Sequence, residues 1–214
     1  MASTFIQSLD PRVTRLQMPE DINQQPLQSE ALDQLVTFQV FMQKKEGKNF
    51  EHAGIVHAPT VELALLYAKE QYSRRFTCSG MAVAETSTVM ASPYTDGGIS
   101  VYQLLEGEAE ATTATADVYE VFHLMKRGKQ HEHAGSVEAN SVEDAFYKAK
   151  ESLMPEKPVL NIWLIRRDDL LTVDEEDKDI WNTLPEKGYR DAAAYKAGDK
   201  LKDFKEKNEA TSSH

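Results

Sequence analysis

Residues 37–45 read TFQVFMQKK, dense in aromatic and β-branched side chains, and after the short EGKN the extended pattern resumes as FEHAGIVHA over 50–58. Two such runs joined by a short connection with glycine predict a β-hairpin. The period then changes. In PTVELALLYAKEQYSRR, residues 59–75, Val61, Ala64, Leu65, Ala68 and Tyr72 recur three or four apart, with Glu62, Lys69 and Glu70 outside that stripe. This spacing predicts an amphipathic helix. A short apolar run, GMAVAE at 80–85, supplies a third strand.

The same succession returns at an offset of 81 positions, Phe38 to Tyr119, without a gap. Val40-Phe41 becomes Val121-Phe122, Gly47-Lys48 becomes Gly128-Lys129, and Glu51-His52-Ala53-Gly54 becomes Glu132-His133-Ala134-Gly135. About half the positions between Phe38 and Gln71 are identical in the second copy, far above chance, which marks an internal duplication. The second helix repeats the stripe as Val142, Ala145, Phe146 and Ala149, and Ser141 with Asp144 has N-cap spacing. Its third strand, NIWLIRR at 161–167, is apolar on both faces and belongs in the middle of a sheet. The expected fold is α+β: two tandem ββαβ repeats of the β-grasp-like roll type, in which the helix crossover returns the chain parallel to the first strand. The expected organisation is an extended N-terminal arm (1–36), a first repeat (37–91), a linker with one extra strand at ISVYQLL (92–117), a second repeat (118–173) and a tail (174–214).

Length and composition narrow the function. The 214 residues suit two small cores, and 41% hydrophobic with 28% charged residues is a globular balance. A net charge of −11 argues against nucleic acid as a partner. No apolar run approaches the roughly 20 residues of a membrane span, and MASTFIQSLDPRVTR lacks the regions of a secretory signal, so a cytoplasmic location is expected. The single cysteine, Cys78, has no internal disulfide partner and reads as a small buried hydrophobe.

Candidate chemistry is sparse. His131 and His133 share one face of an extended strand, but the first copy has Phe50 in place of His131, and two imidazoles do not complete a metal site. Glu120 and His123 have Glu-x-x-His spacing, which places two side chains together on a helix but on opposite faces of a strand. Phosphate-binding glycine motifs and nucleophile elbows are absent from the sequence. We therefore expect no catalytic, cofactor or metal residues. Basic hairpin turns stand out instead, and the candidate partner interface comprises Lys45, Lys48, Glu51, His52, Arg74, Arg75, Lys126, Lys129, Glu132 and His133.

The stretch VFMQKKEGKNFEHAGIVHAPTVELALLYAKEQYSRR resembles the B subunit of bacterial phenylacetyl-CoA epoxidase, also called phenylacetate-CoA oxygenase. That family's pattern runs Val-Phe, a basic turn with Gly, His-x-His-x-Gly, His-Ala, and an Ala-rich helix ending Tyr-x-Arg-Arg. The resemblance implies a non-catalytic subunit without a cofactor of its own, bridging a catalytic di-iron subunit and that subunit's structural partner, with a reductase as a further component. The substrate it implies, phenylacetyl-CoA, would be handled by the catalytic subunit. Two departures bear on this. The family pattern occurs once, so a tandem chain would supply in one polypeptide what a homodimer supplies elsewhere. The paired histidines persist only as His131 and His133, and LMPE replaces Tyr-x-Arg-Arg in the second copy. The alternatives are a free-standing tandem adaptor without oxygenase partners and a small metalloenzyme built on the His-Glu-His strand.

Overall fold

The computed structural model describes residues 7–10, 35–73, 78–96, 98–109, 111–113 and 115–173, with isolated positions further on at 177, 198, 201–202 and 204–205. In chain order the elements are β1 (Gln7–Ser8), β2 (Val36–Gln43), β3 (Glu51–Ala58), α1 (Val61–Tyr72), β4 (Gly80–Glu85), β5 (Met90–Ala91), β6 (Asp117–Leu124), β7 (Glu132–Ala139), α2 (Val142–Leu153), β8 (Asn161–Arg166) and β9 (Leu170–Thr172). Among the described residues the nine strands lie in one sheet of order β1-β5-β8-β6-β7-β3-β2-β4-β9. The architecture is α+β with two ββαβ units. Among the described residues no helix is long and apolar enough to cross a membrane.

Local chemistry explains each unit. Gly47 and Gly128 take φ +75° in the two hairpin turns, a conformation that side-chain-bearing residues rarely adopt. The helices start where hydroxyls cap them. Leu63 N–H donates to Thr60 Oγ1 at 3.4 Å and Asp144 N–H to Ser141 Oγ at 3.1 Å. Asp144 returns the favour by accepting from Asn140 N–H at 2.9 Å. The predicted apolar stripes face the sheet: Ala64 and Ala68 are buried with Phe38, Val40, Met81 and Val83, while Ala145, Phe146 and Ala149 are buried with Tyr119, Val121, Ile162 and Leu164. Cys78 packs partly buried against the first of these clusters, its thiol 3.2 Å from Gly80 O.

The structure corrects three expectations. First, β4 and β8 run antiparallel to β2 and β6, the first strands of their repeats. A helix of 12 residues spans about 18 Å. It carries the chain back to the end where β3 began, so the next strand repeats the direction of β3 and opposes β2. Second, the stretch expected as an extra linker strand forms a 3-10 turn over Val101–Leu104. Its buried residues, Val101, Tyr102 and Leu105, are spaced for one helical turn rather than for alternation, and they plug the core beneath α2. Third, residues 7–8, within the expected arm, form an edge strand on β5, with registers Gln7↔Ala91 and Ser8↔Met90.

The short strands β5 and β9 tie the repeats together. After β4, a 3-10 turn at Thr86–Thr88 delivers β5 to β8 of the other repeat, in register Met90↔Leu164 and Ala91↔Trp163. After β8, the equivalent turn at Arg167–Asp169 delivers β9 to β4, in register Leu171↔Val83 and Thr172↔Ala82. Each repeat thus completes the sheet of its neighbour, with the same offset at every pair. Only Thr86–Val89 separate β4 from β5, a span of roughly 18 Å at most. In a flat sheet the two would stand six strand positions apart, about 29 Å. The sheet therefore curls. The helices cover its outer face, and Phe41, Ala82, Ala84, Val89, Phe122, Trp163 and Ile165 fill the inner one.

Candidate functional site

The repeated Glu-His-Ala-Gly sits where the repeats meet. β3 and β7 pair antiparallel at Glu51↔Glu132, two residues equivalent under the offset. His52 N–H donates to His131 O at 2.8 Å, and His133 N–H donates to Phe50 O at 2.8 Å. Since 52 corresponds to 133 and 50 to 131, these two bonds are copies of each other, as an approximate two-fold axis through the seam requires.

A bulge accounts for the rest of the motif. In the first copy the pairing passes from Val40↔Gly54 to Phe41↔His52, leaving Ala53 as an extra residue; in the second it passes from Val121↔Gly135 to Phe122↔His133, leaving Ala134. Gly54 has φ +146° and Gly135 φ +150°. A Cβ at Gly54 would overlap the Tyr72 hydroxyl, and one at Gly135 would lie 2.8 Å from Leu153 Cδ2. The glycine thus serves both the bulge and the close passage of the helix end. Gly135→Ala is expected to destabilise the chain by about 1–3 kcal/mol in urea unfolding, from backbone strain and overpacking together.

Beyond the bulge the imidazoles turn to the inner face, where the two copies differ in chemistry. His52 Nε2–H donates to Gln39 Oε1 at 2.9 Å, and Gln39 Nε2–H donates to Thr86 Oγ1 at 3.0 Å. At the equivalent positions, His133 Nε2–H donates to Glu120 Oε2 at 2.7 Å, while Arg167 Nε–H donates to Glu120 Oε1 at 2.6 Å. Ser136 Oγ–H adds a bond to Glu120 Oε2 at 2.8 Å. Burial works to raise the Glu120 carboxyl, but hydrogen bonds from His133, Ser136 and Arg167 outweigh it and bring it down to about 2. A neutral network in one half is an ionic one in the other.

His131 and His123 are packed groups. His131 stacks on Trp163 with ring centroids 3.8 Å apart, and its Nε2 lies 2.8 Å from Asn161 Oδ1; burial lowers its pKa to about 4. His123 is buried beneath α2 with its pKa lowered to about 4 by burial, and its Nε2 shares a hydrogen bond of 2.6 Å with the Tyr102 hydroxyl. Glu120 and His123 therefore work on opposite faces of β6, as strand geometry demands. Phe41 and Phe122, equivalent residues, meet at 4.3 Å beside the seam.

Of the candidate interface residues, Lys45 and Lys48 stand exposed on the first turn and Lys126 and Lys129 on the second. The turns flank the seam. Glu51 is half-buried and paired with Lys44, Glu132 is exposed, and His52 and His133 occupy the networks above. Arg74 and Arg75 lie outside the described residues. Gln39, Thr86, Arg167 and Trp163 were not singled out from sequence, although the first three sit at matched positions whose chemistry changed between copies. Among the described residues no group of three or more His, Cys, Asp or Glu side chains could hold a metal ion. A cleft of about 200 Å³ opens between Lys44, His52, Gln71, Tyr72 and Gln130, smaller than the usual range for organic ligands.

Compared with known families, residues 34–103 and 115–202 both match the family described as Phenylacetic acid degradation B. No curated protein and no solved structure matches the chain.

Proposed function

This chain belongs to the phenylacetic acid degradation B family, whose members are subunits of the phenylacetate-degradation oxygenase complex, and from that premise we propose that it is a non-catalytic bridging subunit. One polypeptide presents two equivalent halves and so stands in for a homodimer. The observation that carries this reading is the seam: paired copies of one hydrogen bond, at His52 and His133, together with the reciprocal strands β5 and β9. A body of approximate two-fold symmetry can hold two copies of a partner in related orientations. The partners are the catalytic di-iron subunit and that subunit's structural partner, with phenylacetyl-CoA as the substrate handled by the former.

Docking runs through the exposed turns bearing Lys45, Lys48, Lys126 and Lys129, with Glu51, His52, Glu132 and His133 behind them. Cations gathered on an otherwise acidic molecule steer an acidic partner surface to one place. Pull-down from native lysate tests the assignment: the eluate should contain oxygenase subunits, and an eluate without them turns the reading toward a free-standing adaptor. Reversing the four lysines to Glu should slow association about tenfold at low salt and leave Tm nearly unchanged. Epoxidation by the isolated chain would overturn the non-catalytic role.

A further inference from the structure

The helices of the two repeats, α1 and α2, differ on the face turned away from the sheet. Over α2 the chain lays its own residues 105–113. Tyr147 Oη–H donates to Glu106 O at 2.8 Å, Lys150 Nζ to Leu105 O at 2.9 Å, and Lys148 Nζ to Thr112 Oγ1 at 2.7 Å. Asn140 fastens the far end, donating to Ala111 O and accepting from Thr113. The strap thus runs from the C-terminal end of α2 to its N-terminal end and enters β6. On α1 the positions matching Tyr147 and Lys148 are Leu66 and Tyr67, each 47% exposed, and Pro59 replaces Asn140. Of the polar fasteners only Lys150 has a like residue on α1, Lys69, and Leu66 and Tyr67 stand where Tyr147 and Lys148 do.

We infer that the outer face of α1 is an interaction surface for residues 24–35 of this same chain, laid along α1 as residues 105–113 are laid along α2. Three observations favour this occupant. The stretch holds the same place relative to its repeat: it enters β2 at Val36, whose partner Ala58 lies just before α1, as Asp117 of β6 pairs with Ala139 just before α2. The chemistry is complementary: the Thr-rich strap meets Lys148 through Thr112, whereas the sequence QQPLQSEALDQL offers leucines at 27 and 32 to the apolar pair Leu66 and Tyr67. The register also fits. Under the offset, Leu27 corresponds to residue 108, which lies between the residues that touch Tyr147 and Lys148, so an equivalent path would carry Leu27 past Leu66 and Tyr67. Both stretches are additions beside the shared scaffold, since residues 24–33 and 104–114 fall outside the family match. The inference does not depend on the bridging role.

Paramagnetic broadening in the full-length chain tests it. With Cys78→Ser, a nitroxide on Glu62→Cys, an exposed position of α1, should remove most of the amide signal from residues 24–35. That signal should stay intact when spin-labelled unenriched chain is mixed with unlabelled, nitrogen-15-enriched chain. Leu66→Lys, and separately Leu27→Asp with Leu32→Asp, should each restore the signal; the second pair alters only the arm and so leaves the fold of α1 untouched. Full signal from residues 24–35 in the labelled chain overturns the proposal. Broadening that survives in the mixed sample replaces it with a second copy of the chain. Loss of captured oxygenase subunits in Leu66→Lys, with the arm signals unmoved, replaces it with an oxygenase partner.

Discussion

Phe122→Ala is expected to cost about 3–5 kcal/mol of stability, read as a lowered urea midpoint, the largest effect of any single truncation proposed here. Phe122 is 1% exposed, packs against Phe41 at 4.3 Å, and belongs to the inner cluster with Trp163 and Ile165. Removing its ring opens a hole where the two repeats meet rather than inside either one. Phe41→Ala should cost a similar amount. Because the rings touch, the double variant should lose less than the two single losses added together, a coupling that a double-mutant cycle measures. If the losses instead add, the rings stabilise separate cores and the seam is not a shared one.

Acid should act next most strongly, and through histidine before carboxylate. His123 and His131 are buried neutral with pKa values near 4, below the 6.5 of an unfolded chain. Between these values the unfolded state binds the proton and the folded state does not, so the stabilisation, complete above pH 6.5, fades as pH falls towards 4. At pH 5 the loss is roughly 2 kcal/mol for each ring relative to pH 7.5. Glu120 behaves differently. With its carboxyl held at about 2 against 4.5 unfolded, its contribution is intact above pH 4.5 and disappears only as pH drops towards 2. Urea midpoints should therefore fall between pH 7 and 5 in the parent chain. They should fall less in His131→Gln, which retains a polar group beside Asn161 but cannot take up the proton. An unchanged slope in that variant would remove His131 from the account.

Much of the scaffold was legible because its signals are local. The hairpins, the Ser141 N-cap and both apolar stripes follow from spacings of two, three and four residues, and the 81-residue offset made each copy a check on the other. The seam was not legible, because what creates it is long-range. β5 and β9 have two and three residues, too short to carry an alternation, and only the partner strand gives them meaning. The direction of β4 was misread because the crossover was referred to β2 instead of to β3, the strand that it continues. At the site, the histidines drew attention while Gln39 did not, and Glu120 was noticed only for its spacing from His123, not as the acceptor of His133, since glutamine and glutamate at matched positions pass as ordinary polar variation. Their divergence becomes informative once Thr86 and Arg167 are seen to diverge beside them.

The reciprocal strands carry a consequence for dilution. Two separate chains that completed each other's sheets in this way would come apart as their concentration fell, and each would then bare an unfinished edge and half of an aromatic cluster. Joined through residues 92–116, the halves meet at an effective concentration set by the tether, so their union no longer depends on how much protein is present. That independence also frees one half to change without the other, which is how an ion pair could replace an amide at one end of the axis alone.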